Sequence, residues 1–203
     1  VTVERGVTWG RAEPLPPHGV VVHSDAEARA VVEAHRRRDE PVPPLGLLGG
    51  DLCRTLGGTG DAARLRSSEA MSFPVDLGAA LVDGRLHWFV AHLVARRSWW
   101  LGRIVVAMNA EWLGDWDLGP RAHPNDGLLD ISDADLSLGD RLKARRRVRT
   151  GAHLPHPGIR TLRAPAWSDE LSPPLDVWLD GQKVGRAARV AVRVEPDALI
   201  VVV

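Results

Sequence analysis

Hydrophobic and polar positions change rhythm once along the chain, near residue 67. Before that point, short apolar runs alternate with a helical pattern. Gly19-Val-Val-Val22 reads as a strand. Ser24 or Asp25 caps a helix with Glu27 in its first turn, and Val31, Val32 and His35 recur at helical spacing to about Arg38. Pro41, Pro43 and Pro44 break it. Leu45 to Leu48 is a second short strand, Gly49-Gly50 a turn, and Asp51 to Leu56 another short helix. This order predicts a parallel strand pair within 19–57. Residues 1–18, with Pro14, Pro16 and Pro17, read as an irregular or edge-strand lead-in.

Beyond the polar Gly57–Ser68 stretch, strands joined by turns take over. Val75 to Val82 is a strand, Asp83-Gly84 a hairpin turn, and Leu86 to Val94 one returning strand. Ile104 to Met108 and Leu128 to Ile131 follow. Asp135 to Val148 suits one helix with Leu136, Leu138 and Leu142 inward. Ile159 to Ala164, Leu175 to Leu179, Ala188 to Val194 and Leu199 to Val203 complete the strands, with Asp180-Gly181 as another turn. The fold class expected is α+β: an α/β piece over 1–66, then a mostly antiparallel sheet or sandwich over 67–203.

Composition adds limits. With 203 residues, 44% hydrophobic and 26% charged, the chain can bury a core. Its formal net charge is zero, so no global field draws it to nucleic acid. Cys53 is the single cysteine, which excludes an intrachain disulfide and a Cys-based zinc site. That usage, with no basic-then-apolar leader, points to the cytoplasm. No apolar run approaches the roughly 18–20 residues of a membrane span. Val1 suits either a GTG-encoded start or a trimmed chain.

Several segments carry a resemblance. Pro44-Leu-Gly-Leu-Leu-Gly-Gly-Asp-Leu-Cys-Arg-Thr-Leu-Gly57, Phe73-Pro-Val-Asp-Leu-Gly78, Asn109 to Ala122, Asn125 to Asp130, Gly151-Ala-His-Leu-Pro-His-Pro157, Leu175 to Gln182 and Glu195 to Leu199 occur in order. Together they resemble the lipid kinase family of bacterial diacylglycerol kinases and eukaryotic sphingosine and ceramide kinases. The family patterns are a shorter P-L-G…G-T-x-N-D, V-D-L-G, N-G-x-Y-Y-G-G-G, D-D-G-L-L-D, G-x-H-x-x-H-P, D-G-E and x-P-x-A-L. The resemblance covers about 40–203 and implies a C-terminal β-sandwich behind a truncated nucleotide domain.

The resemblance assigns roles to residues. Asp180 would be the general base that deprotonates a lipid hydroxyl; the alternative is a plain hairpin turn like Asp83-Gly84. Gln182 replaces the family's Glu. Gly49, Gly50 and Asp51 stand where the family borders the nucleotide, without its Thr-x-Asn. Asp126, with the carbonyls of His123 and Leu128, would hold a structural Mg2+, or the loop is a metal-free Asx turn. The phosphate loop should follow Val22, but His23-Ser24-Asp25-Ala26-Glu27 has no glycine and adds two carboxylates. ATP therefore enters only if the chain is active. Two readings follow: a non-catalytic lipid- or partner-binding module, or an ATP-dependent phosphotransferase acting on a lipid hydroxyl. The expected partners are a lipid and a protein supplying the missing nucleotide half. Trp99-Trp100 and Trp112 with Trp116 could line a lipid cleft or pack in the core. Arg145-Arg-Arg147 with Arg149 reads as a solvated helix face or an acidic-lipid contact.

Overall fold

A computed structural model describes residues 9–203; the reading of residues 1–8 lies outside the described residues. The strands are β1 (Arg11–Ala12), β2 (Val20–Val22), β3 (Leu45–Leu47), β4 (Met71–Val82), β5 (Arg85–Phe89), β6 (His92–Arg96), β7 (Ile104–Met108), β8 (Trp112–Leu113), β9 (Trp116–Asp117), β10 (Leu129–Ala134), β11 (Ile159–Ala164), β12 (Ala166–Leu179) and β13 (Gln182–Val202). The helices are α1 (Asp25–Arg36), α2 (Asp51–Thr55) and α3 (Leu138–Arg147).

Strands follow the order β1-β4-β13-β12-β6-β7-β10-β11 in one folded-over sheet, antiparallel throughout this path. The mostly antiparallel, sandwich-rich α+β fold is as expected. Alternation turns Val177 and Leu179 of β12 into the sandwich core, whereas β4 is buried on both faces, Ala80 and Val82 toward that core and Leu77 and Ala79 toward the N-terminal piece. One core fills the sandwich, around Phe89, Leu93, Ala107, Leu129 and Val177.

Strand β13 runs on where two separate strands were read. It bulges between Glu195 and Leu199, and its last residues pair with β4 on one side and, in parallel, with β3 on the other. Strand β2 then pairs in parallel with β3, which gives the parallel pair expected. The N-terminal piece therefore extends the sandwich's own sheet. A shared core joins Val32, Leu47 and Leu52 to Leu77, Trp88 and Val201. Cys53 lies in that core, and burial with the nearby Asp25 charge pushes its thiol up to about 11, so it is inert.

Two local readings need correction. The strand expected over Leu86–Val94 breaks at Val90-Ala91: β5 pairs with β4, whereas β6 pairs with β12 and β7. The cause lies across the molecule, because the N–H groups of Val90, Ala91 and His92 donate to the Asp180 carboxylate. The helix read as starting at Asp135 begins at Leu138, capped by Ser137. Its inward side is Arg141, Ala144 and Val148, while Leu138 and Leu142 face solvent. Arg141 wins the inward place by donating to the carbonyls of Leu136, Trp99 and Gly102.

Candidate functional site

Strands β12 and β13 meet at Asp180-Gly181, whose positive φ angles (47° and 80°) make a tight hairpin turn. The turn points inward, and Asp180 is only 5% exposed. Its Oδ2 accepts from Val90 N–H at 2.9 Å; its Oδ1 accepts from Ala91 at 2.9 Å and His92 at 3.1 Å. Burial raises its pKa, against the His92 charge and these three donors. Gln182, next on the turn, accepts from Arg29 of α1.

The N-terminal piece meets Asp180 and His92 of the sandwich through Asp25 and Asp51. The Asp51 carboxylate bridges two elements of the sandwich: Oδ2 lies 2.9 Å from His92 Nε2, and Oδ1 accepts from Gly114 N–H at 2.8 Å. Asp25 reaches across from α1 and accepts the first N–H groups of α2, those of Asp51 and Leu52. It thus caps a neighbouring helix. Burial and the Asp180 charge raise Asp25 to about 6, although its two backbone donors pull the other way. Burial pulls His92 down, but its bond to Asp51 and the charges of Asp180, Asp51 and Asp25 outweigh that and raise it. Among the described residues, the donor atoms of Asp25, Asp51 and His92 form a trio within 4.8 Å of one another. Those atoms are already bonded among themselves and to backbone.

The glycines at Gly49 and Gly50 have a local reason. A Cβ on Gly49 would lie 2.6 Å from the His23 carbonyl, and one on Gly50 2.5 Å from Asp25 Oδ1. They let the start of α1 close over the start of α2. At α1 itself, Ser24 caps the helix by accepting from Glu27 N–H, and the Glu27 carboxylate accepts from the N–H of His23, just before the cap. A nucleotide phosphate does not fit this arrangement. The leading N–H groups of α2 serve Asp25, and three carboxylates converge on one imidazole.

The Asn125–Asp130 loop is likewise closed by protein groups. Asp126 Oδ1 accepts from Leu128 N–H at 3.0 Å, and Oδ2 pairs with the Arg163 guanidinium. Arg163 Nε also lies 3.0 Å from Asp130. Beside the loop, buried Asp76 accepts from Gly127 N–H at 2.7 Å and Asp197 N–H at 2.9 Å. His123 Nδ1 takes the Asn125 N–H. Mg2+ does not fit here as the loop stands, because Arg163 already supplies the positive charge and both Asp126 oxygens are engaged.

A cavity lies under α3, against the face of β7 and β10 away from the sandwich core. It has a volume of about 110 Å³ and is lined by Trp99, Trp116, Leu118, Val106 and Val148. Trp99 and Trp116 meet edge-on at 5.0 Å. Trp112 is elsewhere, under the Arg54 guanidinium at 3.6 Å. His153 also lines the cavity, 6% exposed, with Nδ1 lacking a hydrogen-bond partner. Burial lowers its pKa, against a bond to the Leu118 backbone. His156 instead accepts from Gly158 N–H in its own turn.

Sequence reasoning found Asp180, Gly49, Gly50 and Asp51, and the fold brings them together. It missed His92, because strands β5 and β6 were read as one. It read Asp25 as a local cap and as a carboxylate unfavourable to phosphate, not as a partner of Asp51, and it did not single out Arg163 or Asp76. The two added carboxylates after Val22 were the available signal for Asp25.

Comparisons with known proteins agree with this architecture. Residues 61–203 match the family model for the YegS C-terminal NAD kinase beta sandwich-like domain. No curated protein matches the sequence. A crystal structure of a diacylglycerol kinase from Bacillus anthracis strain Sterne is similar at a TM-score of 0.67 and 15% identity, covering 90% of this chain and 75% of that one. Two others from that strain have TM-scores of 0.70 and 0.69 at 15% and 16% identity, each covering 90% of this chain and 77% of theirs. No helix among the described residues is long and apolar enough to cross a membrane. The matched span takes in most of the sandwich, and the chain belongs to the family of the YegS C-terminal NAD kinase beta sandwich-like domain.

Proposed function

We propose that this chain is a non-phosphorylating member of the lipid-kinase-type fold, which binds a lipid and leaves its nucleotide position closed. The observation that carries the reading is the Asp25 carboxylate accepting the N–H groups of Asp51 and Leu52. Phosphoryl transfer rests on positioning and charge stabilisation of the phosphates. Here a carboxylate sits where such a group would need donors, and Asp51 and Asp180 add to the repulsion. Asp180 serves as a backbone clamp in this reading. Radiolabelled Mg-ATP with mixed lipid micelles is the test, and no labelled lipid is the expected outcome. Turnover that disappears in Asp180→Asn would overturn the reading in favour of the ATP-dependent phosphotransferase with Asp180 as base.

What the protein retains is the cavity under α3. Its apolar walls suit an acyl or other hydrocarbon tail, and the bare His153 Nδ1 suits a ligand hydroxyl as donor. Native mass spectrometry after gentle extraction is expected to find a bound acyl lipid, reduced in Val106→Trp. A clean, ligand-free protein would count against lipid binding. A protein partner that adds a nucleotide half would appear in the same spectrum as a stoichiometric complex.

A further inference from the structure

Helix α3 is mounted with its leucines outward. Leu138 and Leu142 are 56% and 53% exposed, although the helix has an inward side to offer them. At 100° per residue, Leu138, Leu142 and Arg145 fall on one stripe, which Arg149 continues just beyond the helix. The Arg145 guanidinium lies 5.0 Å from the Trp100 ring. That contact brings in the loop before β7, where Trp100 and Leu101 are 40% and 60% exposed. Four large apolar side chains thus stand in water beside a cationic helix. Between residues 135 and 149 there are six cations (Arg141, Lys143, Arg145, Arg146, Arg147, Arg149) and two carboxylates (Asp135, Asp140), an excess of four in a chain of zero net charge. Lys143, Arg145, Arg146, Arg147 and Arg149 are exposed.

We infer that this face, α3 with the Trp100-Leu101 loop, is a docking surface for an anionic lipid bilayer. Charge and polarity select the occupant together. The cations answer acidic headgroups, and the leucines and Trp100 need an apolar phase just beneath those headgroups, which a nucleic acid does not have. Arg141 holds the helix by the carbonyls of Leu136, Trp99 and Gly102, so α3 and the loop move as one plate. The stripe lies along the helix, so α3 would rest in the plane of the interface. Trp100 and Arg145 also border the cavity, but docking uses their exposed sides together with Leu101, Leu138 and Leu142 and does not depend on the cavity holding a ligand.

The test is flotation of the full chain with phosphatidylcholine vesicles and with vesicles rich in phosphatidylglycerol, at low and high salt. Binding to the anionic vesicles only, weakened by salt, is expected. Each Arg changed to Gln at 145 or 149 lowers partitioning about fivefold. Leu138→Gln with Leu142→Gln, both on the surface and therefore compatible with an unchanged melting temperature, lowers it about tenfold or more. Binding unchanged in both variant pairs, or no flotation with anionic vesicles, overturns the proposal. So does binding displaced by short duplex RNA with the leucine pair irrelevant, which marks a nucleic-acid surface. A dimer in light scattering that the leucine pair abolishes, without vesicle binding, marks a contact between copies instead. Loss of co-purified lipid with flotation intact leaves this surface standing and refutes the cavity reading alone.

Discussion

The molecule builds one turn twice and uses it in two different ways. Asp83-Gly84 and Asp180-Gly181 have nearly the same backbone, with φ of 46° and 80° in one and 47° and 80° in the other. Both aspartates grip the backbone of another strand. Asp83 takes the N–H groups of Ala188 and Arg189 at the surface. Asp180 takes three from Val90, Ala91 and His92 in the interior. The difference arises from what covers the turn. Asp83 has solvent over it, whereas α1 and α2 bring Asp25 and Asp51 over Asp180 and fix a strand break beneath it. A turn motif sets dihedral angles; its burial decides whether the carboxylate is an ornament of the hairpin or the centre of a polar cluster.

The largest effect separates these two turns. Asp180→Ala strands three buried N–H groups, each costing about 1–3 kcal/mol. The loss should exceed about 3 kcal/mol, a large share of the 5–15 kcal/mol typical of a domain. Asp83→Ala, whose donors can turn to water, should cost about 1 kcal/mol or less. Urea denaturation of the two variants measures both, and equal losses would erase the distinction.

This contrast also marks what was legible in sequence. Both Asp-Gly turns, the strand series and the parallel β2–β3 pair follow from local pattern. Val90-Ala91 looks like the middle of a strand because it is apolar; its break is dictated by a carboxylate 90 residues away. His92 pairs with Asp51 41 residues back, and Asp25 reaches Asp51 across 26. Periodicity reports a residue's face, and it has no access to partners at that separation. The α3 leucines failed for a related reason. Three backbone carbonyls from two segments claim Arg141 for the inside, and hydrophobicity alone cannot foresee that competition.

A smaller effect is expected in pH dependence. The pKa of Asp25 rises from 3.8 to about 6, and those of Asp180 and His92 also rise. Groups raised in the folded state contribute stability that is complete below their unfolded values and is lost as pH climbs through the folded ones. Stability should therefore fall between about pH 4 and pH 6 through Asp25, by on the order of 2–3 kcal/mol at about 1.4 kcal/mol per unit, and fall further above about 6.5 through His92. Asp25→Asn should flatten the fall in melting temperature. A fall that persists undiminished in Asp25→Asn would contradict this assignment.

The smallest effect concerns the Asn125–Asp130 loop. Added Mg2+ should not move the melting temperature of the native chain, since Arg163 pairs with Asp126 and Asp130. Arg163→Ala leaves two carboxylates facing each other and should cost about 1–2 kcal/mol. Mg2+ should then restore part of it, by the hard-cation preference for such oxygens. A metal-induced rise in the unaltered protein would instead identify a resident ion.

The central claim is that the polar cluster at Asp180 is closed to nucleotide. Calorimetric titration of Mg-ATP into the purified chain tests it most directly. The account predicts no saturable heat up to about 1 mM, the edge of weak binding. A micromolar dissociation constant that Asp180→Asn abolishes would contradict it.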